Sequence, residues 1–240
     1  MEFILIPAVA LIASGLTFFS GFGLGTLLLP VFAIFFPVEI AVSLTAIVHL
    51  LNNIFKLFLV SKYAEIKVAF KFGLPAIVGA FLGAWLLSTL SHLTPVYSYE
   101  LFGKTNEIEI IKLVIAVFIL LFTILEFIPS FEKLSFDNRY LSLGGIISGF
   151  FGGLSGHQGA LRSAFLIKLK LTKEAFIGTG VVIACLIDIT RLSVYSTTIF
   201  STEILDNSIL VIISLVAAFV GAFIGNKLIK KITYQSVKIV

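Results

Sequence analysis

Long apolar runs separated by short polar stretches follow one another along the whole chain. A membrane-crossing helix needs about 20 mostly apolar residues. Five uninterrupted segments reach that length: Glu39–Val60, Phe70–Leu90, Glu109–Ile128, Lys173–Phe200 and Asp206–Leu228. Two further apolar regions, Phe3–Phe36 and Tyr140–Leu169, are longer but interrupted by glycine. Each divides into a helix of about 17 residues and a piece of about 13, the latter marginal for a full crossing and suited to a half-helix or a hairpin that turns near mid-bilayer. The pattern predicts an all-α polytopic membrane protein, with about nine membrane segments if the short pieces are counted.

The two interruptions match. Ser14-Gly15 opens a stretch running through Ser20-Gly21-Phe22-Gly23-Leu24-Gly25, and Ser148-Gly149 opens a second that includes Gly152-Gly153-Leu154-Ser155-Gly156-His157-Gln158-Gly159. The offset is 134 residues both from Ser14 to Ser148 and from Gly25 to Gly159. With the register shifted by one, Glu39 falls on Glu174, Asn53 on Asp188 and Lys56 on Arg191; further on, Gly79-Ala-Phe-Leu-Gly83 matches Gly221-Ala-Phe-Ile-Gly225. The chain therefore reads as a single transmembrane domain, 1–240, made of repeat one (1–92), a linking helix (109–128) and repeat two (139–232). Glycines four apart let helix backbones approach closely, so packing within or between subunits accounts for Gly79, Gly83, Gly221 and Gly225.

Charge sets the orientation. Lys62, Lys67 and Lys71 share one loop, Lys133 and Arg139 another, Lys168, Lys170 and Lys173 a third, and Lys227, Lys230, Lys231 and Lys238 the tail. Basic loops stay on the cytoplasmic side, which predicts an external N-terminus, a cytoplasmic C-terminus and residence in the cytoplasmic (inner) membrane. The odd linking helix then inverts the second repeat. Inverted repeats with paired broken helices mark alternating-access transporters; a duplicated scaffold that transports nothing is the competing reading.

Composition narrows the class. Hydrophobic residues make up 59% and charged residues 12%, against about 25% charged in a soluble domain. The net charge of +4 comes from clustered lysines, so it reads as topology and not as a nucleic-acid surface. Cys185 is the single cysteine, which rules out an intramolecular disulfide and a cysteine-based metal site. No metal and no cofactor are expected. Met1–Phe19 carries Glu2 where a signal peptide has a basic region, and is read as part of the mature protein.

Ionisable groups within spans are costly and point to function. Arg162 follows the second break with no acid near it in sequence. Asp188 and Arg191, at i and i+3 in mid-span, either pair with each other or face a substrate. A helix break exposes backbone N–H groups at a positive helix end, a ready anion site. Gly23, Gly25 and Thr26 mark that site in the first break; Gly156, His157, Gln158 and Gly159 mark it in the second, with Arg162 as countercharge. His49, Asn52, Asn53 and Lys56 form one polar stripe on Glu39–Val60. Asn52 and Asn53 are candidate substrate donors, His49 a candidate relay, and Lys56 is expected to snorkel to the cytoplasmic surface. Thr179 is the corresponding small polar residue of repeat two. His49, Asp188 and Arg191 are grouped as coupling or gating residues. No metal-spaced histidine pair and no nucleophile–base motif indicates an enzyme.

The segment Gly149-Phe-Phe-Gly-Gly-Leu-Ser-Gly-His-Gln-Gly-Ala-Leu-Arg-Ser-Ala-Phe-Leu166 resembles the second-repeat motif of the sulfite exporter TauE/SafE family, also called the toluene sulfonate uptake permease family. Ser14–Pro30 resembles the family's first-repeat motif, with Phe22 and Leu24 between glycines that are usually consecutive. The resemblance implies a permease for a small anion such as an organosulfonate, sulfite or a related oxyanion or carboxylate, coupled to an ion gradient of protons or sodium. The alternatives are a cation- or proton-coupled exchanger using Asp188 and Glu39, and the non-transporting scaffold.

Overall fold

The computed structural model describes residues 1–20, 24–101, 104–127, 135–196 and 206–229. Among them are nine α-helices: α1 (Glu2–Ser20), α2 (Leu24–Phe35), α3 (Val38–Val60), α4 (Ile66–Ser91), α5 (Ile110–Phe127), α6 (Leu141–Ser155), α7 (Gly159–Leu166), α8 (Lys173–Val194) and α9 (Ser208–Ile229). A bilayer offers no partners for backbone polar groups, and a helix satisfies them internally. Four helices, α3, α4, α8 and α9, are long and apolar enough to cross a membrane. The chain is a helical multi-pass membrane protein.

Two details differ from the sequence reading. Between α4 and α5 a short antiparallel hairpin pairs β1 (Tyr97–Leu101) with β2 (Lys104–Ile108), Tyr97 opposite Ile108. Alternating Tyr97, Tyr99 and Leu101 is a strand pattern, hidden in a segment read only for its charge. Helix α8 runs to Val194, with the Tyr195 N–H closing on Arg191 O, and 197–200 of the expected segment fall outside the described residues. The second break is also narrower than its glycines imply. Gly144 to Gly153 lie inside α6, and the helix ends only at Gly156, whose φ of 82° is left-handed. The short piece after it is an eight-residue helix followed by a 3₁₀ turn, Ile167–Leu169. Ser14 and Gly15 likewise lie within α1, and 21–23 fall outside the described residues.

Those glycines bring helices together. Helix α4 packs along α6, and α1 along α9, so the first helix of each half lies on the last helix of the other. A Cβ at Gly79 would strike Ile146 O, one at Gly149 would strike Ala76 O, and one at Gly221 would strike Leu11 O. Close backbone approach replaces the hydrophobic driving force that is missing in lipid. Pro75 removes the N–H that would reach Lys71 O in α4. Ser142 Oγ of α6 donates to that carbonyl at 3.3 Å instead. Helices α3 and α8 pack on each other at the centre and carry the polar residues.

Candidate functional site

Asp188 gathers the polar interior. It is wholly buried on α8. Its Oδ1 accepts from Arg191 Nε at 3.0 Å and from Gln158 Nε2 at 3.3 Å. Its Oδ2 accepts from His49 Nδ1 at 2.6 Å and Asn53 Nδ2 at 3.2 Å. A carboxylate only accepts, so the His49 proton sits on Nδ1. Arg191 Nη2 lies 2.9 Å from Oδ1, so the i, i+3 pair forms. Four donors from α3, α8 and the α6–α7 turn fill the roughly four lone-pair positions of the carboxylate. Such pairing is what permits a buried charge.

Gln158 links this network to Arg162. While its amide donates to Asp188, its Oε1 accepts from Arg162 Nη1 at 3.3 Å and its backbone carbonyl accepts from Ser148 Oγ at 2.9 Å. Gly156 holds the turn. A side chain there would be strained by the positive φ and would come within 3.0 Å of Arg191 Nη1. The two breaks meet at this point, since a Cβ on Gly25 would sit 3.4 Å from Gly156 O.

Beside the network lies a cavity of about 30 Å³ between α1, α2, α3, α7 and α8, room for one or two waters. Its polar wall is Thr17, His49, Asn53, Lys56 and Arg162; Phe18, Leu166 and Phe176 are among the apolar ones. Lys56 does not snorkel. It is 4% exposed, donates to Thr17 Oγ1 at 3.0 Å and lies 5.0 Å from the centre of the Phe18 ring. Thr17 gives its own proton to Ser14 O at 3.1 Å, which leaves its lone pairs for the ammonium. Among the described residues no acid lines the cavity.

The sequence-selected residues divide into groups. His49, Asn53 and Arg162 line the cavity, while Gln158, Asp188 and Arg191 stand behind it. Asn52 accepts from Ser14 Oγ at 3.0 Å, and its Nδ2 is buried without a hydrogen-bond partner among the described residues. Thr26 is buried on α2, where Leu24 takes the place at the cavity. His157 turns toward α5, its ring stacked 5.1 Å from Phe122 and its Nδ1 2.9 Å from Ser155 Oγ. Gly159 opens α7, and Gly23 lies outside the described residues. Two N–H groups of the second break are committed to the backbone, Gly156 to Gly152 O and Gln158 to Gly156 O. Thr179 Oγ1 accepts from the Glu65 N–H at 2.9 Å, tying α8 to the loop before α4.

Lys56 and Thr17 are the site residues that sequence reasoning passed over. Lys56 carries a signal in the sequence, as the fourth member of the polar stripe with His49, Asn52 and Asn53. Thr17 shares a face of α1 with Ser14, three residues before it, and that spacing is the signal for it in the sequence.

A model of the sulfite exporter TauE/SafE family matches residues 6–240. No curated protein and no solved structure gives a match.

Proposed function

This chain belongs to the sulfite exporter TauE/SafE family, and on that premise we propose that it is a secondary permease whose small-oxyanion site is the Lys56–Arg162 cavity. At the coarser level it is a membrane transporter of sulfur anions and not an enzyme. The observation that carries the finer reading is two buried cations lining one cavity with no acid among its described walls. Arg162 supplies a planar fork matched to an oxyanion, and Lys56 a point charge. Asn53 and His49 are held by Asp188 at the same wall as orienting groups.

Asp188 is ill-suited to cation exchange, since protein donors occupy both its oxygens. It positions the groups around it. The crosswise packing of α1 on α9 and α4 on α6 fits two repeats related by inversion, with the cavity where their breaks meet. In this reading, rocking of one half against the other alternates access to the cavity and widens it beyond its present room for one or two waters. Residence in the cytoplasmic membrane, an external N-terminus and a cytoplasmic C-terminus complete the proposal.

The test is uptake or efflux of labelled sulfite and small sulfonates in reconstituted vesicles. Arg162→Ala is expected to abolish transport while expression persists. Unchanged transport would refute the assignment.

A further inference from the structure

A second polar cavity, of about 50 Å³, lies at the other end of α3 and α8, among Glu39, Ser43, Ser88, Ser91, His92 and Tyr195. Along α3, Glu39 and Lys56 are about 25 Å apart at a 1.5 Å rise per residue. The Asp188 network stands between the two cavities, since His49 is on the stretch of α3 that joins them.

The chemistry here is opposite to that of the Lys56 cavity. Tyr195 Oη donates its proton to Gly153 O, and Ser91 Oγ donates to Ser88 O at 2.8 Å. Both oxygens are left with lone pairs only. Glu39 Oε2 is buried without a hydrogen-bond partner among the described residues. Ser43 and Tyr195 are 2% and 4% exposed, so their oxygens belong to a built interior, with the half-buried Glu39 and Ser91 at its rim. A carboxylate in the first turn of α3 suits the positive end of the helix. That accounts for Glu39 alone, not for the acceptors gathered around it.

We propose that this cavity binds a small monovalent cation, sodium, with the Glu39 carboxylate as charged ligand and the oxygens of Ser43, Ser91 and Tyr195 as neutral ones. Oxygen donors suit hard cations, and a single carboxylate balances a single charge. A bare proton would occupy one acceptor and leave the others unmatched. Helix α3 carries groups to both cavities, and α8 lines the anion cavity and ends against Tyr195 of the other, so cation occupancy at one end and anion occupancy at the other bear on the same two elements. Only this consequence for transport rests on the permease reading; sodium binding itself does not.

The experiment measures the unfolding midpoint of the full-length protein in detergent, titrating sodium chloride against N-methyl-D-glucamine chloride at constant ionic strength. The wild type is expected to rise by several degrees with a saturable sodium dependence. Glu39→Gln is expected to lose that response and keep its response to sulfite. Ser91→Ala, at the half-exposed end of α4, serves if Glu39→Gln fails to fold, and should raise the half-saturating sodium concentration about tenfold. A wild type indifferent to sodium overturns the proposal. So does a full response in Glu39→Gln or Ser91→Ala, or a midpoint that follows pH and ignores sodium. Lys56→Ala separates the two readings, since it should lose the sulfite response and keep the sodium one. Absence of any sulfite response in the wild type would count against the anion cavity and leave the sodium result standing.

Discussion

Lys56 shows how a residue's role depends on what faces it. Its position near a helix end predicts a side chain extended to the membrane surface. The observed ammonium turns inward because Thr17 offers lone pairs and Phe18 a ring face. Asp188 is the complementary case. Its spacing to Arg191 was readable, and the pair forms. Its contacts with His49, Asn53 and Gln158 were not readable, because they join residues 30 to 139 apart in sequence. Removing the carboxylate leaves Arg191 buried with its charge uncompensated. Asp188→Ala is expected to cost about 3–5 kcal/mol, seen as a large fall in the detergent unfolding midpoint. Adding Arg191→Met should recover part of that loss. A single variant as stable as the wild type would show that Asp188 does not hold the interior together.

At the scale of elements, glycine carried two meanings that sequence could not separate. In membrane helices it marks both breaks and close packing. The GxxxG spacing of Gly79, Gly83, Gly221 and Gly225 predicts packing, and each lies against a neighbouring helix. The sequence pattern places Gly149, Gly152 and Gly153 in a break, yet they lie in α6, with Gly149 and Gly153 against α4. Only Gly156 has the positive φ that ends the helix. A single methyl group distinguishes tight from ordinary contacts. Gly79→Ala drives its Cβ into the Ile146 carbonyl and should destabilise by about 1–3 kcal/mol. Gly15→Ala, 3.4 Å from Gly221 O, should stay within about 0.5 kcal/mol of the wild type. Equal unfolding midpoints for the two variants would contradict the packing described for α4 and α6.

At the scale of the whole molecule, the loop that holds Lys62 and the segment before α8 that holds Lys168 lie at one end. A Cβ at Gly178 would lie 2.7 Å from Val60 O, and Thr179 binds the Glu65 N–H, so the start of α8 sits on the loop that holds Lys62. Helix α4 then runs 26 residues, about 39 Å, before the hairpin. Cysteines at Lys62 and Lys168 should therefore react with an impermeant thiol reagent from one face of the membrane, and one at Thr94 from the other. All three positions are exposed, and native Cys185 is buried. Labelling of Lys62→Cys and Thr94→Cys from the same face would overturn this arrangement.

Sequence alone determined that the chain is helical, that it lies in a bilayer, that it carries two matched glycine-rich segments and that its polar residues cluster on a few helices. These follow from local composition and from the lack of hydrogen-bonding partners in lipid, which every stretch of chain meets by itself. Only the tertiary structure decided which glycines bend the backbone and which seat a neighbouring helix, that Asp188 is filled by donors from three elements, and that Lys56 joins Arg162 in one cavity while Glu39 stands apart in another. Each of these depends on a partner supplied by a distant segment, and such a partner comes within reach only once the helices have packed.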